Sequence, residues 1–210
     1  KEYRRQRQMC IRDSNVTVKS FTFDLTSIES ITTINDSAGN PALEVKHVYG
    51  PSPIATDTLF EVTISITNIA GYKITDVRYN RSMDWDIPPS EFSEVVSAVG
   101  VDASVATGKL PRVLMSGNNG FMRPNPFNSA GSHNRGKGTG DFERYGPRDH
   151  GFTATFGFGE LLCGENHNFI SYYGAAENRA TLEAALASES IPLYSTVSYT
   201  HLTLPTILLV

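Results

Sequence analysis

The chain has 210 residues, of which 40% are hydrophobic and only 19% charged, with a formal net charge of −4. That length holds one large domain, and an acidic body argues against a nucleic-acid partner, because phosphate binding needs clustered Lys and Arg. Gly, Ser, Thr and Asn fill the place of the charged residues, which favours short strands and many turns over helices.

In chain order, the two ends come first. Lys1–Ser14, KEYRRQRQMCIRDS, and Val197–Val210, VSYTHLTLPTILLV, resemble translated sequencing-adapter read-through of the kind that ends unrelated metagenomic genes. Both are set aside as processing scars are, leaving residues 15–196 as one domain. The first thirteen residues hold Lys1, Arg4, Arg5, Arg7 and Arg12 against Glu2 and Asp13, so the remainder carries −7. LTLPTILLV is too short to span a bilayer and contains a proline. The basic start has no apolar run behind it and is no signal peptide. Cys10 falls in the excluded end and leaves Cys163 alone, so no intrachain disulfide is available. A lone Cys next to two leucines is expected to be a small buried apolar residue.

Asn15 to Leu25 alternates loosely and slips phase near Lys19-Ser20, which predicts a bulge or two short strands. Ile28 to Ile34 is a β-branched strand, and Asn35 to Pro41 is turn chemistry. Leu43, Val45, His47 and Tyr49 share one face, which makes His47 a hydrogen-bonded structural histidine. Phe60, Val62, Ile64 and Ile66 alternate with Glu61, Thr63, Ser65 and Thr67, the clearest half-buried strand of the chain. Asn68 to Gly71 reads as a hairpin turn into the next strand. There Val77, Tyr79, Met83, Trp85 and Ile87 face inward after a bulge near Thr75-Asp76. Pro88-Pro89 ends the pairing.

Residues 100–148 are rich in Gly, Asn and Pro, with a short strand at Arg112–Met115. They read as an insertion between the two halves of the domain. Phe152, Ala154, Phe156 and Phe158 share a strand face, Leu161 to Glu165 turns, and Asn168 to Tyr173 returns as a central strand. A helix is expected over about 176–189, where Leu182, Ala185 and Leu186 give helical spacing. Ile191 to Thr196 adds a last strand.

The stretches DVRYNRSMDWDIPPSEFSEVVS and DHGFTATFGFGELLCGENHNFISYYGAAENRATLEAAL resemble uncharacterised bacterial exported proteins, many of them surface-sorted in the PEP-CTERM manner. The pair of strands around TNIAGY resembles the Ig-like modules of large bacterial surface proteins, which a later hairpin of the form FGxLxxGExxxF closes. The resemblance covers roughly Phe21 to Ser195. It implies an all-β, Ig-like antiparallel β-sandwich, secreted to an extracellular or cell-surface setting, and it implies no activity.

Four constellations carry candidate chemistry. Asp84 and Asp86 flank Trp85, and on a strand they share a face at about 6.5–7 Å between Cα atoms. Carboxylates so placed ligate calcium or serve glycoside hydrolysis; the bland alternative is a solvated polar face shared with Arg78, Asn80 and Ser82. The run GSHNRGKG, Gly131 to Gly138, nearly spells a phosphate loop but has Gly138 where the hydroxyl belongs. His150 stands beside Asp149 as a candidate base, although Asp149 reads more simply as bonding turn amides. Phe121, Phe127, Phe142 and Tyr145 punctuate the insertion as sugar-stacking aromatics do. The residues thus lead to a non-enzymatic structural or adhesion module with surface glycans or proteins as partners. The alternatives are a carbohydrate- or calcium-binding module using Asp84, Asp86 and the insertion aromatics, or a hydrolase around Asp86 and His150. Calcium is the one cofactor this reading admits, and no membrane span is expected.

Overall fold

The computed structural model describes residues 15–86, 91–122 and 125–198, together with the backbone of residues 203–206. Among them the strands are β1 (Val16–Phe23), β2 (Ile28–Asn35), β3 (Pro41–Pro51), β4 (Leu59–Asn68), β5 (Ile74–Asp84), β6 (Glu94–Val99), β7 (Arg112–Gly117), β8 (Phe142–Arg148), β9 (Gly151–Leu161), β10 (Asn166–Gly174), β11 (Tyr194–Ser198) and β12 (Thr203–Thr206). Helices α1 (Val101–Ala106) and α2 (Arg179–Ser188) and a 3-10 turn at Ala130–His133 complete the list. The chain is all-β in class. Its larger antiparallel sheet has the order β1-β2-β3-β4-β10-β12-β11-β6-β8, and the smaller one β5-β9-β7. Of the ends expected as tails, Lys1–Ser14 lies outside this description, whereas Val197 is fully buried in the core as part of β11; the Ile87 and Pro88-Pro89 end of the β5 reading also lies outside it. β12 pairs along β11 and meets β10 at Tyr173.

The core follows from alternation on the strands that face each other. Val62, Ile64 and Ile66 of β4 are buried while Thr63 is exposed. Each such side chain contributes about 1.5–3 kcal/mol when fully removed from water. Phe60 breaks the expected pattern: it is 58% exposed, and Leu59 takes the buried place. From the smaller sheet come Val77, Phe152, Ala154, Phe156 and Phe158, in the same core cluster. The sheets touch through rings, with Phe158 and Tyr79 at 4.7 and 5.1 Å from Phe169 of β10. The two anticipated bulges are present, between Val18 and Ser20 and between Ile74 and Val77.

The β4–β5 connection is not a hairpin. β4 pairs with β3 and β10, whereas β5 pairs with β9, so residues 69–73 cross from one sheet to the other. The β9–β10 turn crosses in the same way and is no hairpin either. Asn68 ties the two crossings together. Its amide nitrogen donates to the carbonyls of Tyr72 and Leu161, and its Oδ1 accepts from Ala70 N. Its backbone N–H donates to Glu165 O, and its carbonyl accepts from Gly164 N. A buried amide with every group paired specifies this geometry better than any local turn preference. Cys163 sits in the second crossing and is exposed rather than buried.

Residues 100–148 belong to both sheets: β7 pairs with β9, and β8 with β6. The segment between β7 and β8 covers the outer face of the smaller sheet. That face is therefore not the solvated surface the alternation suggests. Asn80 is buried, donating to Ala154 O and Thr155 Oγ1, and Ser82 bonds Thr153 Oγ1. His133 of the 3-10 turn, fully buried, completes the cover by accepting from Thr155 Oγ1 at 3.0 Å and donating to Ser129 O. Strand β9 is consequently buried on both faces, Phe inward and Thr outward.

Helix α2 starts later than its apolar spacing implies. Asn178 caps it, with Oδ1 accepting from Thr181 N at 2.9 Å, and a capped start of this kind is worth about 1 kcal/mol. Leu182 and Leu186, one turn apart, bury its inner face. At its far end the Glu189 carboxylate accepts from Ser52 Oγ, Ile54 N and Ala55 N, fastening the helix to the loop after β3.

Candidate functional site

Strand β5 ends at Asp84. Trp85 follows, 3% exposed in the core, which fixes the direction of the chain at this point. Asp86 is left exposed just beyond it. Two glycines bring a third acid to the same place. Gly151 pairs with Asp84 across the β5–β9 ladder, and a Cβ there would lie 1.9 Å from Met83 O. Gly120 packs as closely, its hypothetical Cβ being 2.5 Å from Met83 O and 2.9 Å from Gly151 Cα. Three backbones can meet at this distance only without side chains. The turn before β9 is thus drawn onto the end of β5, and Asp149 comes with it.

The result is a carboxylate cluster: one oxygen each from Asp84, Asp86 and Asp149 lie within 4.8 Å of one another. Oxygens bound to one calcium at about 2.4 Å can be no further apart than about twice that length, a condition that all three meet. Asp84 Oδ1 and Asp149 Oδ1 are buried and accept no hydrogen bond. Asp149 therefore does not bond turn amides as its sequence position suggests, and Asp84 is not a solvated surface residue. Burial, then the charges of Asp86, Asp149 and Glu94, push the Asp84 carboxyl up to about 6. A cation in the cluster would supply the positive charge that the three carboxylates lack.

His150 stands next to this cluster in sequence but turns away from it. It is fully buried, with Nδ1 accepting from Asn118 Nδ2 at 3.1 Å and Nε2 donating to Glu94 O at 3.0 Å. Both ring nitrogens are engaged, and burial holds the pair below the usual histidine range. His150 is therefore not an accessible base beside Asp86. Glu94 is equally buried, and its carboxylate accepts from Phe92 N and His150 N. His47 has the structural role foreseen for it: its Nε2 accepts from the Tyr79 hydroxyl at 3.0 Å, and burial lowers its pKa to about 4.

The four candidate aromatics separate. Phe142 is buried in the core and is not a surface ring. Tyr145 is half-buried, edge-on to Phe142 and His150. Phe121 and Phe127 are 45% and 61% exposed, each lying under a guanidinium, that of Arg135 at 4.5 Å and of Arg78 at 4.6 Å. Residues 131–138 hold the 3-10 turn and a loop, with no helix of the phosphate-loop kind. Sequence reasoning placed Asp84 and Asp86 but missed Asp149 as their partner. The signal lay in Gly120 and Gly151, whose small size alone lets these strands close. Among the described residues no helix is long and apolar enough to cross a membrane. Comparison with protein-family models, with curated proteins and with solved structures finds no match.

Proposed function

We propose that this chain is a non-enzymatic extracellular or cell-surface module, of the β-sandwich kind, whose carboxylate cluster binds calcium. The observation that carries this reading is the convergence of Asp84, Asp86 and Asp149 with two buried oxygens that accept no hydrogen bond. Acidic side chains brought together with a single backbone donor, Trp85 N–H, repel one another, and a hard divalent ion with oxygen ligands relieves that repulsion. Three carboxylates with a side open to solvent make a weak site, in the range of about 10⁻⁴–10⁻³ M that extracellular modules use. Calcium is plentiful at that level outside cells, which is the support for the setting. The bound ion would fasten the end of β5 to the β8–β9 turn and stiffen one end of the module, as suits a structural or adhesive role.

Calorimetric titration of the purified chain with calcium tests the proposal. The expected result is saturable binding of one ion at about 10⁻⁴–10⁻³ M, lost in Asp149→Asn and retained in Glu143→Gln. Absence of binding at ten times that concentration, or binding untouched by Asp149→Asn, overturns it.

A further inference from the structure

A second group of side chains lies beside the carboxylate cluster and has the opposite sign. Arg135 and Lys137 come from the loop after the 3-10 turn, and Arg148 from the end of β8. The Arg148 guanidinium and the Lys137 ammonium sit over the Tyr145 ring at 4.6 and 4.9 Å. Arg148 Nη1 donates to Arg135 O at 3.3 Å, and the Arg135 guanidinium lies over Phe121 at 4.5 Å. Gly136 makes this closure possible. Its φ is +115°, and a Cβ there would be 2.3 Å from Tyr145 Oη and 3.0 Å from Arg148 Nη1.

Among the described residues none of these three cations is in an ion pair, although acidic residues outnumber basic ones in the chain. Of the acids nearest in sequence, Asp141 accepts from Val101 N and Glu143 pairs with Arg179, while Asp149, next to Arg148, belongs to the carboxylate cluster and forms no ion pair with it. Stacking on a ring fixes the plane of a guanidinium and leaves its N–H edge open. Arg135 donates no side-chain hydrogen bond to any described residue, and Arg148 donates one. Together the two guanidiniums and the Lys137 ammonium form a small cationic patch whose N–H groups can pair with oxyanions.

We infer that this cluster is a binding site for an acidic oligosaccharide, one that carries carboxylates on its sugar rings. Three cations on an otherwise acidic body match a few carboxylates. They are too few for nucleic acid, where about 6–10 phosphate contacts are usual and the body would repel the remaining strand. The exposed part of Phe121 beside the cations offers apolar surface to the C–H groups of a sugar. The site is independent of the calcium proposal, since none of its residues belongs to the carboxylate cluster.

The test is calorimetric titration of the full chain, in EDTA, with a hexameric uronate oligosaccharide, a neutral hexasaccharide and a short DNA duplex. EDTA separates this outcome from that of the calcium reading. The expected result is saturable binding of the uronate alone, weakened by salt and reduced at least about tenfold in Arg135→Gln/Arg148→Gln, the loss of one charge-assisted hydrogen bond or more. Both substituted residues are exposed, so the thermal midpoint of the variant should match the parent. Phe121→Ala should weaken uronate binding while leaving its salt dependence unchanged. No uronate binding, equal binding of the neutral sugar, tighter binding of the duplex, or an unaffected double variant would each overturn the inference.

Discussion

Glu189 ends the last turn beyond helix α2, and Asp84 ends strand β5; both carboxylates are partly withdrawn from water. At Glu189 burial acts to raise the pKa, but donors from Ser52, Ala55 and Ile54 outweigh it and hold the group below the usual range. At Asp84 burial acts in the same direction, three neighbouring acids add to it, and the one opposing donor, Trp85 N–H, is outweighed, so the carboxyl rises to about 6. The difference lies in what the fold aims at each group. Hydroxyl and amide donors converge on Glu189, which makes it a fastening that the protein completes by itself. Acids converge on Asp84, an arrangement that stores repulsion unless a cation enters. Removing the first should cost stability, and removing the second should cost binding.

The largest effect is expected at Glu189. Glu189→Ala takes the acceptor from the Ser52 hydroxyl and leaves Ile54 N and Ala55 N with Ser52 Oγ alone, and should lower the unfolding free energy by about 2 kcal/mol. Urea unfolding followed by tryptophan fluorescence measures this, with Trp85 as the core reporter. A neutral result at Glu189 would remove the ground for distinguishing the two carboxylates.

Much of the fold was legible because it rests on local alternation. The β4 pattern from Val62 to Ile66, the inward phenylalanines of β9 and the leucines of α2 all announce their faces in sequence. The hairpin reading of residues 68–71 failed for a physical reason: the turn residues fit a hairpin or a crossing equally well. The choice is made by Asn68 bonding to Leu161 O, almost a hundred residues away. In residues 100–148 the strand at Arg112–Met115 was legible and is β7, whereas the Gly and Asn content hid β8, which gains its pairing from β6. The polar outer face of β5 looked solvated because alternation cannot report a cover such as His133. At the candidate site, Asp84 and Asp86 were visible through their spacing around Trp85, and Asp149 was not, because only the glycine contacts bring it near. Cys163 was expected inside on composition, but it lies in an exposed turn whose position depends on the crossing.

At Asp84 a smaller change of opposite sign is expected. Without calcium at neutral pH, Asp84→Asn removes a charge from the acidic cluster and should stabilise the chain by about 1 kcal/mol, after allowance for solvent screening. Addition of calcium should reverse the order. The parent gains roughly 1–2 kcal/mol at a concentration ten- to thirtyfold above its dissociation constant, while the Asn variant gains much less. Thermal melts with and without calcium report both halves. If Asp84→Asn destabilises the metal-free chain, the carboxylate is a fastening like Glu189 and the distinction fails.

The finest discrimination comes from pH. The folded chain holds the Asp84 proton up to about pH 6, whereas the unfolded chain releases it near the ordinary value of 3.8. Between those values the folded state binds more protons, so stability falls as pH rises through the window. In EDTA the parent should match Asp84→Asn at pH 4 and drop behind it by pH 6, by no more than about 1 kcal/mol, then run parallel above. Glu189 has the reverse sign: its pKa is lowered in the folded state, so its contribution is present at neutral pH and is lost as pH falls. The parent should therefore lose its advantage over Glu189→Gln on acidification. Protonation of His47, His133 and His150, all lowered by burial, destabilises every variant below about pH 6.5. That shared slope cancels when parent and variant are compared at the same pH. Two difference curves of opposite slope would show that the carboxylates differ in what surrounds them, and curves of the same slope would show that they do not.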